Sequence, residues 1–431
     1  MTHPRTPLVL LTGIDRSLVA TAAGALLRQH PGTVVVHHDV SDLGQGVVLR
    51  TLTEHTAGGT ATHRSAIELA HGCLSCTLRL DVLPLLRTLA GRDDVTRIVL
   101  QLDPALEPEH LCWSIENVVL DDEPAGAPGT AGDLVAVQAV IATLDAAGWL
   151  ADATGAETMA DRGLAATADD ERTLAQVVVG QTGFADVVLL AGAAEDAWSG
   201  AQLTAVLDRL LPGVPRGDLA TWQPELVLAQ LGPDARRGRI SSPHDPLLAG
   251  QPPLGEDAGI ALVRFGADRP FSPERLHDAL DVLLEGVVCS RGRLWLATRS
   301  DRALWLESAG GGLQVGDAGP WLATLDEDPQ LWAEVDPQRA AAAALRWDPL
   351  YGDRDSQLVV LTHRRSPTAI TTALSGALLT DAELAGGPAA WAAMEDPFGD
   401  RHADPCEASS SADADDRHDS DLHATDREDR T

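Results

Sequence analysis

A parallel α/β sheet is the fold this sequence predicts for its first half, followed by a smaller α+β layer and a disordered acidic tail. Three observations predict it. Short apolar runs at 8–13, 33–38, 97–102, 134–139 and 187–191 alternate with amphipathic stretches at 16–29, 81–89, 108–117 and 199–211. That order builds parallel sheets through right-handed crossovers. The runs are rich in Val and Leu without polar alternation, as in strands covered on both faces. Beyond residue 395 the chain becomes a Ser/Asp/His/Arg mixture with almost no apolar side chains, so it cannot offset the entropy of ordering.

The first unit is placed at 1–212. From 213 to 258 the text turns Pro- and Gly-rich and loses periodicity, which reads as a connection carrying one helix near 224–231. The second unit, 259–395, shows strand-like runs at 260–265, 293–297, 303–307 and 357–362, helical stretches at 273–284 and 366–379, and a Gly turn at 310–312. The tail is 396–431.

A formal charge of −32 over 431 residues excludes extended binding to nucleic acid or to an anionic membrane, both of which need cations to meet phosphates. Every one of the 32 basic residues is Arg. Mechanisms requiring an ammonium group are therefore closed unless Arg substitutes, and Arg has a different shape. The five cysteines, few and odd in number, do not read as a disulfide framework. No stretch approaches the ~20 apolar residues of a membrane span, so a cytoplasmic protein is expected.

Several motifs stand in a telling order. Gly72-Cys73-Leu74-Ser75-Cys76-Thr77 places two thiols three residues apart. Arg269-Pro270-Phe271-Ser272-Pro273-Glu274-Arg275 opens the second unit, and the stretch 286–297 follows it. In this order they resemble the CobW-type metallochaperone GTPases, whose cysteine motif, last core strand and C-terminal signature fall in the same sequence. The resemblance implies a P-loop-NTPase-like sheet with a CobW C-terminal domain.

Where that family has its P-loop, this chain has Thr12-Gly13-Ile14-Asp15-Arg16-Ser17. A P-loop needs glycines that aim backbone N–H groups at phosphate, a Lys, and a hydroxyl for Mg²⁺. Gly13, Asp15, Arg16 and Ser17 form a remnant, with a carboxylate beside the expected phosphates. The family's Glu-x-x-Gly turn has become Gln101-Leu102-Asp103-Pro104, and its guanine motif Ala191-Gly192-Ala193-Ala194. GTP and Mg²⁺ are therefore not expected, nor are catalytic residues. The stretches 292–312 and 396–406 are more narrowly similar to the CobW-like proteins that recruit a ribosome hibernation factor under zinc limitation. That resemblance implies two partners, the hibernation factor and the ribosome. An Arg run at Arg236, Arg237 and Arg239 is either a solvated linker or a phosphate contact.

The Cys73/Cys76 spacing lets two thiolates chelate one soft ion, so Zn²⁺ is expected. Further ligands would come from His71 and His38, with His37, His63 and Glu68 behind them. A metallochaperone with residual nucleotide binding is the alternative to the recruitment reading, and a thiol-redox protein using its C-x-x-C is the third. Cys112, Cys289, Trp295 and Trp305 read as core.

Overall fold

The computed structural model describes residues 5–56, 59–69, 72–120, 128–248, 250–325 and 329–399, without the Pro329 side chain. Among them, His71, Cys406 and nearly all of the acidic tail are not included. No helix among the described residues is long and apolar enough to cross a membrane.

Eight strands form the first sheet: β1 (Thr6–Thr12), β2 (Thr33–Asp39), β3 (Val47–Thr56), β4 (Gly59–Glu68), β5 (Arg97–Gln101), β6 (Val135–Asp145), β7 (Val187–Ala191) and β8 (Arg216–Asp218). Their spatial order is β4-β3-β2-β5-β1-β6-β7-β8. From β2 to β8 the pairings are parallel, as expected. At the other edge β3 and β4 add an antiparallel hairpin that the apolar pattern does not announce. Its residues are exposed or half-exposed apart from Val48, so they lack the buried-strand signature.

The absence of alternation in β1 has a direct cause. Leu8 and Leu10 pack on one face with Val36, Leu83, Leu86 and Ile115, whereas Val9 and Leu11 pack on the other with Val19, Leu26, Ile141 and Leu189. Both faces are dry, so both parities are apolar. The helix Arg16–Gln29 covers the second face with Val19, Ala22, Ala23 and Leu26.

The second sheet is antiparallel, in the order β12-β11-β10-β13-β9, with β9 (Ile260–Ala267), β10 (Val287–Leu294), β11 (Arg302–Ala309), β12 (Gly312–Pro320) and β13 (Ser356–His363). The strand expected at 293–297 lies earlier in the chain. Trp295 and Ala297 leave the sheet and exchange backbone hydrogen bonds with Phe271, at 2.8 and 3.0 Å. Trp295 is nonetheless fully buried. Of the segment expected as a connection, residues 216–218 supply β8 and the helix Pro224–Gln230 packs on the first sheet's core. The tail's opening residues are ordered: Asp396 accepts from Thr298 and Arg299, and Phe398 meets His277 edge-on.

One apolar cluster belongs to both units. Ala142, Val178, Val188 and Val206 of the first pack with Ile260, Val288, Ala309 and Leu361 of the second. At its border the turn Gly310-Gly311-Gly312 presses against the first unit. A Cβ on Gly310 would sit 2.3 Å from the Gly155 carbonyl, and one on Gly312 2.4 Å from Gln176 Cδ. At Gly310, with φ +50° and a backbone carbonyl in the way, only glycine permits that approach.

Candidate functional site

Two sites sit on the first sheet, one at the C-terminal end of β1 and one at the cysteine turn. Such sheets place ligands at the carboxyl ends of their strands, where the strand order reverses. β1 lies at that reversal, between β5 and β6.

After β1 the chain turns at Gly13 (φ +155°), where a Cβ would stand 2.5 Å from Thr143 Oγ1. Asp15 then caps the helix Arg16–Gln29. Its Oδ1 accepts from the Ser17 N–H (2.8 Å), the Ser17 hydroxyl (2.6 Å) and the Leu18 N–H (3.3 Å). The Ser17 hydroxyl bond, opposed by some desolvation, holds the Asp15 carboxyl below the usual carboxylate range. A helix N-terminus attracts anions through such amides. Here an internal carboxylate already occupies them, together with the hydroxyl that would meet Mg²⁺.

Arg16 is also engaged. Its Nε and Nη2 donate to Asp103 Oδ2 at 3.2 and 2.9 Å, and Asp103 is buried. Gln101-Leu102-Asp103-Pro104 therefore contributes a partner for the remnant's only cation. The adjoining cleft of ≈ 420 Å³ is lined by Asp15, Arg16, Thr143, Asp145, Asp152 and Arg162 among others. Arg162 pairs with Asp152 and Glu157. Sequence reading missed Asp152 and Arg162 and named Asp103 without its partner, because their roles depend on contacts across the fold.

At the cysteine turn, Cys73 precedes a helical run interrupted by a π segment, Leu78–Val82. Pro84 follows in the run and has no N–H to donate, while the Leu83 N–H reaches the Leu78 carbonyl five residues back. Cys73 Sγ accepts from the Cys76 N–H at 3.2 Å, and both residues are half-buried. The π segment carries buried Asp81, whose Oδ2 lies 2.7 Å from His38 Nε2 and whose Oδ1 accepts from Arg50 Nη1 at 2.6 Å.

His38 is thus committed to Asp81 through Nε2, while its buried Nδ1 has no hydrogen-bond partner among the described residues. His37 Nδ1 lies 3.1 Å from the Gln101 carbonyl oxygen. His63 and Glu68 are exposed on β4. Among the described residues no group of three or more His, Cys, Asp or Glu could hold a metal ion. The structure therefore gives the two cysteines as a pair and does not assemble His38 with them into a closed site. His71 lies outside the described residues.

The remaining predicted features pack as structure. Burial pushes the Cys112 and Cys289 thiols up to about 12, so neither is a thiolate at neutral pH. Arg237 and Arg239 turn their guanidiniums onto carbonyls of their own loop, and the Arg237 N–H meets Asp186. Arg236 stacks 4.8 Å from the Phe184 ring centroid.

Residues 260–378 match the profile described as "Cobalamin synthesis protein cobW C-terminal domain". The chain is 45% identical over 403 residues to the Mycobacterium tuberculosis (strain ATCC 25618 / H37Rv) protein named zinc chaperone Rv0106, covering 93% of this chain and 95% of that one. It is 24% identical over 408 residues to zinc-regulated GTPase metalloprotein activator 1 of Dictyostelium discoideum, covering 91% and 84%. Among solved structures, the Zn(II)-bound YjiA GTPase from E. coli aligns with 88% of this chain and 100% of its own, at 16% identity and a TM-score of 0.36. That superposition is too loose to transfer any residue.

Proposed function

This chain belongs to the CobW-type family, and from that premise we propose that it is a zinc metallochaperone carrying Zn²⁺ as cargo on Cys73 and Cys76, with a nucleotide crevice that no longer takes GTP. The observation that carries the reading is the cysteine turn. Two half-buried sulfurs three residues apart open a helical run, in a chain closely similar to a protein named as a zinc chaperone. A structural zinc wants four protein ligands, whereas cargo zinc needs positions left for an acceptor. Two thiolates with no third donor gathered among the described residues suit the second role.

The crevice does not fit GTP and Mg²⁺. Asp15 holds the amides and the hydroxyl that phosphate and metal would use, Arg16 is paired with Asp103, and no Lys exists. Recruitment of a ribosome hibernation factor draws no support from these relatives, whose names refer to zinc.

Competition against a chromophoric zinc chelator tests the cargo site. Wild-type protein should take up to one Zn²⁺ through this pair, and affinity should fall as pH drops and the thiolates protonate. Equal retention by the Cys73→Ser/Cys76→Ser variant would refute the assignment. Calorimetric titration with GTP and Mg²⁺ should show nothing tighter than ~1 mM. A micromolar dissociation constant would refute the closed crevice.

A further inference from the structure

A groove of ≈ 860 Å³ runs beside the cysteine turn, where the two units meet. Part of its wall is the turn itself: Leu74 and Ser75, the two residues between Cys73 and Cys76, together with Leu78. The segments 105–107, 169–173 and 311–314 supply most of the rest. Arg172 ties two of these together. Its guanidinium donates to Asp170 Oδ1 and Oδ2 (both 2.8 Å), to Glu107 Oε1 (2.6 Å) and to the Ala105 carbonyl (3.0 Å). That part of the wall therefore keeps its shape without a partner.

Charge decides the occupant. Four carboxylates line the groove, Glu107, Asp169, Asp170 and Glu171, against one guanidinium, Arg172, and one imidazole, His110. Even with His110 protonated, acids outnumber cations two to one. Arg172 is committed to Glu107 and Asp170, whereas Asp169 and Glu171 are exposed and make no ion pair among the described residues. The remaining polar side chains of the wall are uncharged hydroxyls and amides, and apolar contact comes from Leu74, Leu78, Leu106 and Leu313. The chain's own tail is unsuited to this surface, with ten acids against four arginines after residue 400. A second copy, with a formal charge of −32, is unsuited as well.

On the reading that Cys73 and Cys76 carry cargo zinc, we propose that this groove docks a basic segment of the protein that accepts the ion. Docking brings the acceptor's own thiols beside the turn. Zn²⁺ then passes by ligand exchange, in which bonds to the two cysteine sulfurs break as bonds to acceptor thiolates form. The protons that the acceptor thiols release go to the vacated cysteines or to water, and no electron moves. The acidic wall recognises the acceptor and takes no part in holding the ion, so recognition and zinc affinity are separable.

The test uses zinc-loaded full-length protein and a dye-labelled synthetic apo zinc-finger peptide, of the Cys₂His₂ type, that carries a short Arg run. A matched peptide has Gln in place of the run. Anisotropy reads binding, and the fluorescence change as the peptide folds around zinc reads transfer. The basic peptide should bind at least about tenfold more tightly than the Gln peptide and take zinc faster. Asp169→Arg/Glu171→Arg should weaken that binding about tenfold and slow transfer, while zinc affinity and melting stay at wild type. The control Glu274→Arg/Asp278→Arg makes the same change in net charge at exposed positions of the helix Pro273–Ala279, and should bind within about twofold of wild type. If the reversed groove fails to fold, Asp169→Asn/Glu171→Gln carries the comparison with a loss of about threefold. Equal binding of the two peptides, wild-type binding by the folded groove variants, or an equal loss in the control would each overturn the proposal. Tight binding without faster transfer would overturn the acceptor role. The zinc reading fails by a different result, retention of zinc by Cys73→Ser/Cys76→Ser. That variant leaves the acidic wall unchanged and should still bind the basic peptide as wild type does.

Discussion

Replacing Arg16 by Gln distinguishes a structural cation from a phosphate ligand. In the structure Arg16 makes two bonds to one oxygen of Asp103, and the other oxygen accepts from the Ala105 N–H at 3.2 Å. The Asp103 side chain is 1% exposed, while that of Arg16 is 39% exposed. Removing a partner from a sealed buried pair costs about 3–5 kcal/mol. Here water can enter through the space Arg16 vacates, so the cost falls toward that of charged hydrogen bonds, about 2–3 kcal/mol. For a domain of this size that corresponds to a melting temperature lower by about 4–12 °C. The assay is thermal and urea unfolding of Arg16→Gln, Asp103→Asn and the double variant. The double variant should lose less than the sum of the singles, since the two changes remove one interaction. If Arg16→Gln melts with wild type, or if the losses add, the pair is not what holds Arg16.

The other predictions address separate contacts. Asp15→Ala removes the cap from the helix Arg16–Gln29 and should cost ~1 kcal/mol by urea unfolding. Gly292→Ala places a Cβ 1.9 Å from the Gln357 carbonyl oxygen, so the β10–β13 pairing should fail, read as a loss of about 3 kcal/mol or of soluble protein. Burial pushes His244 down to about 4, against an ordinary value near 6.5, and its Nε2 lies 2.9 Å from the Ala318 carbonyl. Between those values the unfolded chain takes up a proton that the folded ring refuses. The neutral ring's stabilisation is therefore complete above about pH 6.5 and lost as pH falls toward 4. His244→Asn should flatten that part of the stability curve, and an unchanged acid limb would count against it.

Much of the architecture is readable from local chemistry, because strands buried on both faces and capped helices announce themselves. The helix Arg16–Gln29 carries its cap and its apolar stripe in adjacent residues. The β3–β4 hairpin escapes because half-exposed strands rich in Thr, His and Arg give no apolar run. The Leu-Trp-Leu-Ala stretch at 294–297 misleads in the opposite sense. It is buried by Phe271 and the surrounding aromatics after the strand has ended. At the sites, residue type suggests chemistry but not commitment. His38 reads as a ligand until Asp81, 43 positions later, takes its Nε2. Arg16 reads as part of a degenerate phosphate loop, and only the fold shows that Asp103, 87 positions later, takes its guanidinium. Such pairings are set by the crossovers of the sheet and leave no mark in the local pattern.

The apolar cluster that spans both units, sealed by the Gly310-Gly311-Gly312 turn, bears on how this protein can be made and dismantled. A polypeptide ending near residue 258 would lack the second unit's share of this cluster, leaving the helices Leu174–Gly183 and Ala197–Leu210 without their partners there. The complementary fragment would present Ile260, Val288 and Leu361. Each fragment is an aggregation hazard. During synthesis the first unit leaves the ribosome with that strip uncovered until more than a hundred further residues have followed. The interval is one in which a holding chaperone would bind, and a premature stop before Leu361 would leave the cluster incomplete.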